Sequence, residues 1–278
     1  MTERPVGRDS SAFLANVRAE RVKRVAALAG RSARSRAGLF LVEGPQGVRE
    51  AVRFASSRVR DLYITPDAAA RYRSIVTSAE EAGVYVHFGS DEVLAAMSGD
   101  AQGVLAVVST EGVSLDSALA GAPRLVAVLA DVRDPGNAGT VIRAADAAGA
   151  DCVVLAGESV DLTNPKVVRS TAGSLFHLPV VRGGTLAEVV SSVGAAGLTV
   201  LATDGTGDVE LNPADPACGA LLAEPTAWVF GNEAHGLSPE EAALADHTVR
   251  IPIHGAAESL NLATAAAVCL YASAWAQR

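Results

Sequence analysis

The chain has 278 residues, a net charge of −8, and 19% charged against 49% hydrophobic residues. That balance excludes a disordered chain and supplies apolar material for about two folded domains. No apolar run reaches the roughly 18 uncharged residues that cross a bilayer, and the N-terminal MTERPVGRDSS lacks the apolar core of a signal peptide. No membrane partner is expected. Cys152, Cys218 and Cys269 are too scattered for a disulfide framework or a metal set, which points to a reducing cytoplasm.

The charge is unevenly spread. Residues 1–60 hold 13 Lys/Arg against 5 Asp/Glu, and the remainder holds 10 against 26. A basic segment on an acidic body suggests a polyanionic partner. Residues 1–36 read as a basic helical arm. Within it, 12–29 has the period of an amphipathic helix, with Phe13, Val17, Val22, Val25 and Leu28 on one side and Arg18, Arg21, Lys23 and Arg24 interleaved. The stretch GRSARSRAG at 30–38 adds Arg31, Arg34 and Arg36 and reads as a flexible electrostatic tether. These seven cations are the candidate contacts to nucleic acid.

Residues 37–109 read as a small α/β domain, with strands at 39–42, 59–65, 84–88 and 103–109 and helices at 45–56, 67–82 and 91–97. Residues 110–123, rich in Gly, Ser and Ala, read as a linker with room for a short helix. Residues 124–278 form a second α/β domain. Its strands are expected at 125–132, 152–156, 178–181, 198–203, 227–230 and 247–251, and its helices at 139–148, 165–172, 186–196, 239–245 and 259–276. Several of these strands are unbroken apolar runs, as in a parallel sheet buried on both faces. The last helix is Ala- and Leu-rich without Gly or Pro, and Ser259 is its expected N-cap.

Ligands of open α/β sheets sit beyond the carboxyl ends of the strands. Three polar loops occupy such ends. DVRDPGNAGTVIR at 131–143 projects Asn137 from a turn and carries Arg143 into the first turn of the helix expected after it; GNEAHGLS follows the fifth strand; IPIHGAAESLN follows the sixth. They gather Asn137, Arg143, Asn232, Glu233, Glu258, Ser259 and Asn261. Neither GxGxxG nor GxxxxGK[ST] is present, so a dinucleotide-binding half and a P-loop are unsupported. No His, Cys or carboxylate set has metal-ligand spacing, and no metal is expected.

NAGTVIR (137–143), FGNEAHGLS (230–238) and IPIHGAAESLNLATAAAV (251–268) resemble the three motifs of the SpoU class of RNA ribose 2′-O-methyltransferases, in the SPOUT superfamily. FLVEGPQGVREAV (40–52) is similar to the N-terminal substrate-binding domain of the rRNA-directed branch, which is related to kink-turn-binding ribosomal proteins. The resemblance implies a parallel sheet tied into a deep trefoil knot, S-adenosylmethionine as methyl donor, rRNA in preference to tRNA as substrate, and a homodimer. By motif position, cofactor contacts fall on Gly231, Ile251 and Leu260, with Thr203 and Ile253 beside them. Arg143 is the main catalytic residue implied, with Asn137, Glu233, Ser259 and Asn261 around it. Arginine stays protonated in proteins, so Arg143 is expected to bind the neighbouring phosphate and stabilise an incipient alkoxide rather than act as a base. Glu233 would orient Arg143 or accept the hydroxyl proton. Ala234 stands where many members have Gly, and His235 and the LAT at 262–264 are variable choices; none removes a presumed functional side chain. A tRNA enzyme, a non-catalytic RNA-binding protein of the same fold, and a small-molecule α/β enzyme with a basic tail are the alternatives.

Overall fold

The computed structural model describes residues 13–278, which divide after Glu111 into two compact units. The stretch before Phe13, part of the expected arm, lies outside the described residues.

The first unit runs α1 (Glu20–Ala27), α2 (Arg31–Ala37), β1 (Leu39–Glu43), α3 (Gly44–Ala55), β2 (Val59–Ile64), α4 (Pro66–Arg71), α5 (Arg73–Glu81), β3 (Tyr85–Phe88), α6 (Asp91–Met97) and β4 (Val104–Ser109). Its sheet has the order β1-β4-β2-β3, antiparallel except for the β2/β3 pair. The described part of the arm is not free. Val22, Val25 and Leu28 are buried against Leu41, Tyr63, Val93 and Leu105, because the apolar stripe of α1 needs a partner and finds the sheet. The tether expected at 30–38 is instead the helix α2, ended by Gly38 at a φ of 63°. Arg34 holds it in place: the residue is 4% exposed, and its guanidinium donates to the carbonyls of Leu28 (3.2 Å) and Ala29 (2.7 Å) at the end of α1. Arg34 therefore caps α1 and is removed from the expected RNA contacts; Arg18, Lys23, Arg24, Arg31 and Arg36 are exposed and Arg21 is half-buried. The helix expected over 67–82 breaks at Tyr72, whose φ of −113° and ψ of 47° lie outside the helical well.

The second unit runs α7 (Leu115–Leu119), β5 (Leu125–Ala130), α8 (Pro135–Ala148), β6 (Cys152–Ala156), α9 (Pro165–Ser170), β7 (Val180–Arg182), α10 (Leu186–Ala195), β8 (Thr199–Thr203), β9 (Val209–Glu210), α11 (Pro216–Ala223), β10 (Thr226–Phe230), α12 (Pro239–Ala242), β11 (His247–Arg250) and α13 (Leu262–Ala276). Every pairing in its sheet is parallel, in the order β7-β6-β5-β10-β8-β11-β9. Alternate residues of β5 feed two cores. Leu125, Ala127 and Leu129 pack with α8 and α13, while Val126, Val128 and Ala130 pack with α10. On the first of these faces Trp228 donates its Nε1–H to Ser273 Oγ at 2.9 Å, which fixes α13 across β10.

In the first unit the helix expected over 12–29 begins only at Glu20, leaving Phe13 and Val17 exposed; in the second unit two helix starts differ from expectation, and both move site residues. α8 begins at Pro135, capped by Asp134, whose carboxylate accepts from Asn137 N at 2.7 Å. The Pro and Gly that suggested a turn are its first residues: Pro suits N1, where no N–H is needed. Asn137 is thus in the first turn and Arg143 in the third. α13 begins at Leu262, and Asn261 rather than Ser259 is its N-cap, with Oδ1 accepting from Ala263 N (2.9 Å) and Thr264 N (3.4 Å). β9 and α11 were not expected. A two-residue strand carries no period, but Asp215-Pro216 was a readable start signal for α11.

Candidate active site

β10 lies between β5 and β8, so the loops after β5, β10 and β11 meet at one end of the sheet. Local hydrogen bonds brace the first two of these loops. Asp131 closes β5 in the left-handed region (φ 52°), and its carboxylate accepts from Glu158 N at 2.6 Å. Asn232 binds across to it, donating from Nδ2 to Asp131 O at 2.8 Å while its Oδ1 accepts from Ala234 N at 2.9 Å. Asn232 and Gly236 exchange both backbone hydrogen bonds, at 3.0 and 2.8 Å, which makes residues 232–236 a closed turn.

Glu233 projects from that turn onto the start of α8. Its carboxylate accepts from Asp134 N (3.0 Å), Arg133 N (3.3 Å) and Asn137 Nδ2 (3.3 Å). Asn137 Oδ1 in turn accepts from Asn261 Nδ2 at 3.0 Å. A single polar chain, Glu233–Asn137–Asn261, therefore joins all three loops to the start of α13. Amides at a helix start favour negative charge, so the carboxylate and the start of α8 are electrostatically matched.

Two cavities share residues 232–234 and Gly236 as a wall. One, of about 360 Å³, is lined by Thr203, Gly231, Ile251, Ile253, Glu258, Ser259 and Leu260, among others. The other, of about 790 Å³, is lined by Asp131, Arg133, Asp134, Asn137, His235 and Glu241. All five residues expected to contact cofactor line the smaller cavity. Of the five expected to be catalytic, Glu233 lines both, Asn137 the larger and Ser259 the smaller, while Asn261 joins through Asn137.

Arg143 is the exception. It lies six residues after Asn137, about 9 Å along α8 and roughly 120° around it. It is exposed, lines neither cavity, and has no ion pair with Glu233 or any other described residue. The expected Glu233–Arg143 contact is absent because that carboxylate is occupied by the helix start. Three residues matter more than their sequence signal suggested. Asn232, gathered with the site loops by its sequence, also ties β5 to the 232–236 turn; Asp134, which the sequence did not single out, caps α8. Gly139 lets α8 approach α9 so closely that a Cβ would meet Ser170 Cβ at 2.7 Å and Val167 O at 2.8 Å.

A cavity at the carboxyl ends of a parallel sheet, with a polar chain along its rim, defines a ligand-binding α/β protein. The profile of the SpoU rRNA methylase family matches residues 124–271, and that of the MRM3-like substrate binding domain matches residues 19–106. The chain belongs to the SpoU rRNA methylase family, as its motifs implied. It is 33% identical over 240 residues to the 23S rRNA (guanosine(2553)-2′-O)-methyltransferase RlmP of Bacillus subtilis, covering 86% of this chain and 89% of that one. It is 44% identical over 142 residues to the 23S rRNA (uridine(2479)-2′-O)-methyltransferase of Streptomyces viridochromogenes, a match that spans 49% of this chain and about half, 47%, of that relative. The crystal structure of the SpoU methyltransferase AviRb from Streptomyces viridochromogenes in complex with AdoMet matches with a TM-score of 0.79 at 34% identity, covering 92% of this chain and 98% of that one.

Proposed function

We propose that this chain transfers a methyl group from S-adenosylmethionine to a ribose 2′-hydroxyl of 23S rRNA. The observation that carries the reading is the Glu233–Asn137–Asn261 chain at the wall between two cavities, in a member of a family whose named relatives catalyse this reaction.

The residues of the smaller cavity fit the cofactor. No side chain has room at Gly231, where a Cβ would stand 2.6 Å from Gly236 O and Leu237 N, so the wall there offers backbone groups alone. Ile253 and Leu260 are each 37% exposed, unpacked apolar surface suited to an adenine face. Asp204, Glu233 and Glu258 on the same cavity favour a cation, which a sulfonium is. When bound, S-adenosylmethionine supplies an electrophilic methyl group. The chain's own part is then to orient the hydroxyl and to take its proton. Asn137 and Ser259 hold the ribose; Glu233, aimed by three N–H donors, accepts the hydroxyl proton. Arg143 binds the adjacent phosphate and offsets charge developing on the ribose oxygen.

We further infer a homodimer. Val268 (41% exposed) and Trp275 (72%) lie seven residues apart on one face of α13 with Tyr271 between them, an apolar stripe in need of a partner. Arg143 borders it, one turn before Ala147, whose carbonyl accepts from Tyr271 OH at 3.3 Å. Pairing through this stripe gives the exposed arginine a second copy's cavity to serve. The trefoil knot is supported by the strand order, in which β10 lies between β5 and β8 and β11 lies beyond β8. The small unit grips structured RNA, consistent with the kinship to kink-turn-binding proteins implied by its sequence. We place the reaction in the cytoplasm, which suits three buried free thiols, and no helix of the described residues is long and apolar enough to cross a membrane.

The test is methyl transfer from labelled S-adenosylmethionine to unmodified large-subunit rRNA, small-subunit rRNA and tRNA in parallel, with digestion to nucleosides. A labelled 2′-O-methyl nucleoside from large-subunit rRNA is expected. Label in tRNA alone would overturn the substrate, and cofactor binding without transfer to any RNA would favour the non-catalytic reading.

A further inference from the structure

The first unit holds a cavity of about 520 Å³ that the transfer reaction does not use. It lies between α1 and α2 over the β1, β2 and β4 strands, and its volume is that of a small-molecule site. Three arginines line it: Arg21 and Arg24 from α1 and Arg36 from α2. Arg24 and Arg36 are exposed and make no hydrogen bond or ion pair with any described residue. Between them the wall is apolar, formed by Ala33, Ala37 and the half-buried Leu39.

Two further contacts make this a built cleft. Arg21 donates to His87 Nδ1 at 3.2 Å, and His87 Nε2 lies 2.7 Å from Asp61 Oδ1. A guanidinium only donates, so Nδ1 accepts and Nε2–H donates to the carboxylate. The His87 ring is itself held by stacking on Tyr63, with centroids 5.0 Å apart. The one carboxylate lining the cleft, Asp61, is thus engaged, and Arg21 is fixed on the wall by one of its five N–H groups. Arg34 locks the turn between α1 and α2 through the Leu28 and Ala29 carbonyls, so the spacing of the two helices that carry the arginines is set before any ligand arrives.

We propose that this cleft seats one unstacked nucleotide of the substrate RNA, its phosphate on Arg24 and Arg36 and its base against Ala33, Leu39 and an arginine plane. Charge complementarity selects the occupant: three guanidinium groups around one committed carboxylate attract a polyanion, and the apolar wall between them takes a flat, neutral ring. Splayed bases of loops and bulges present that combination. The inference rests on the reading of the chain as an RNA-modifying enzyme and adds a contact that would help set which RNA is chosen.

The experiment uses the full chain and an unmodified large-subunit rRNA fragment that it methylates. RNA affinity is measured across salt concentrations, with S-adenosylmethionine affinity and unfolding temperature as controls. Ala33→Trp fills the cleft without altering charge, and Ala27→Trp on its exposed rim does the same should the first variant fold poorly. The expected result is a loss of RNA affinity of about tenfold or more with the salt slope unchanged. The Arg24→Glu/Arg36→Glu pair should also weaken binding and flatten the slope of log affinity on log salt by about 1.4, two phosphates of a single strand. Wild-type RNA affinity in the filled variants alongside weakened binding in the charge-reversed pair would reduce the cleft to a charged surface and overturn the proposal. A wild-type chain that binds cofactor but no RNA would instead remove the reading beneath it.

Discussion

Gly231→Ala puts the smallest possible probe into the wall of the cofactor cavity. The added Cβ would face Gly236 O and Leu237 N at 2.6 Å, about 0.8 Å inside ordinary contact at 3.4 Å. Both obstacles are backbone, and the 232–236 turn is closed by two hydrogen bonds, so no side-chain rotation relieves the clash. Strain of this kind costs about 1–3 kcal/mol. If the turn shifts to relieve it in the free protein and must be pushed back when the cavity fills, the loss of cofactor affinity is about 5- to 140-fold. Because Glu233 and Asn232 ride on the displaced turn, transfer should fall further, by about 100-fold for a shift near 1 Å. The assay is calorimetric titration with S-adenosylmethionine beside single-turnover methylation. Gly255→Ala is the control: it lies in the loop between β11 and α13 with nothing within 4 Å of its Cβ site, and should bind cofactor as the wild type does. Cofactor affinity within twofold of wild type for Gly231→Ala would refute the steric reasoning.

Other outcomes follow from the same geometry. Asn261→Asp keeps the cap on α13 but loses the donor to Asn137, so thermal stability should hold while transfer drops; Asn261→Ala loses both, at a further cost of about 0.5–2 kcal/mol in denaturant titration. Gly139→Ala drives a Cβ into Ser170 where α8 meets α9, and should lower stability by about 1–3 kcal/mol without a charge change. Arg143→Ala should abolish transfer yet leave cofactor titration unchanged, since Arg143 lines neither cavity; normal turnover would remove it from the mechanism. If the proposed pairing through α13 holds, wild-type protein should scatter as a dimer and Trp275→Glu as a 28.3 kDa monomer. Burial pushes the Cys152 thiol up to about 12, with the Asp151 charge adding to the effect, and pushes Cys269 up as well. Above about pH 9 the unfolded chain releases protons that the folded thiols retain, so stability falls there by ~1.4 kcal/mol per pH unit per thiol. Cys152→Ala should make that decline shallower in denaturant titrations between pH 8 and 10.

Most of the sheet was legible because its strands are short apolar runs between polar loops, and the three site loops stand out as polar groups where such runs stop. Helix starts were less legible. Pro135 and Gly136 signal a turn by composition, yet Asp134 and Pro135 together make a capped helix start; Ser259 and Asn261 are equally good caps by residue type, and only the path of the loop decides between them. The stretch at 30–38, expected as a tether, differs for another reason. GRSARSRAG carries no apolar period, so nothing local reveals that Arg34 turns inward to cap the preceding helix. The position of Arg143 on the far side of α8 follows from where the helix begins, and so was lost with it. The pairing of Glu233 with amides of residues 133 and 134 spans about 100 positions in the chain and has no counterpart in any local pattern.

The place of β10 in the sheet also has a consequence for how the chain is made. β5 and β8 are both synthesised before the strand that separates them, and 27 residues lie between the end of β8 at Thr203 and the end of β10 at Phe230. At ordinary elongation rates that interval is roughly 1–5 s. Throughout it the nascent chain holds an incomplete sheet whose middle position is vacant, with two unpaired apolar edges facing each other. Pairing β5 directly with β8 would satisfy both edges in the wrong register and shut β10 out. Correct folding of this unit therefore requires that slot to stay open until Trp228 arrives, and the last fifty residues, which also carry the 251–261 loop and α13, are the ones a stalled or truncated product would lack.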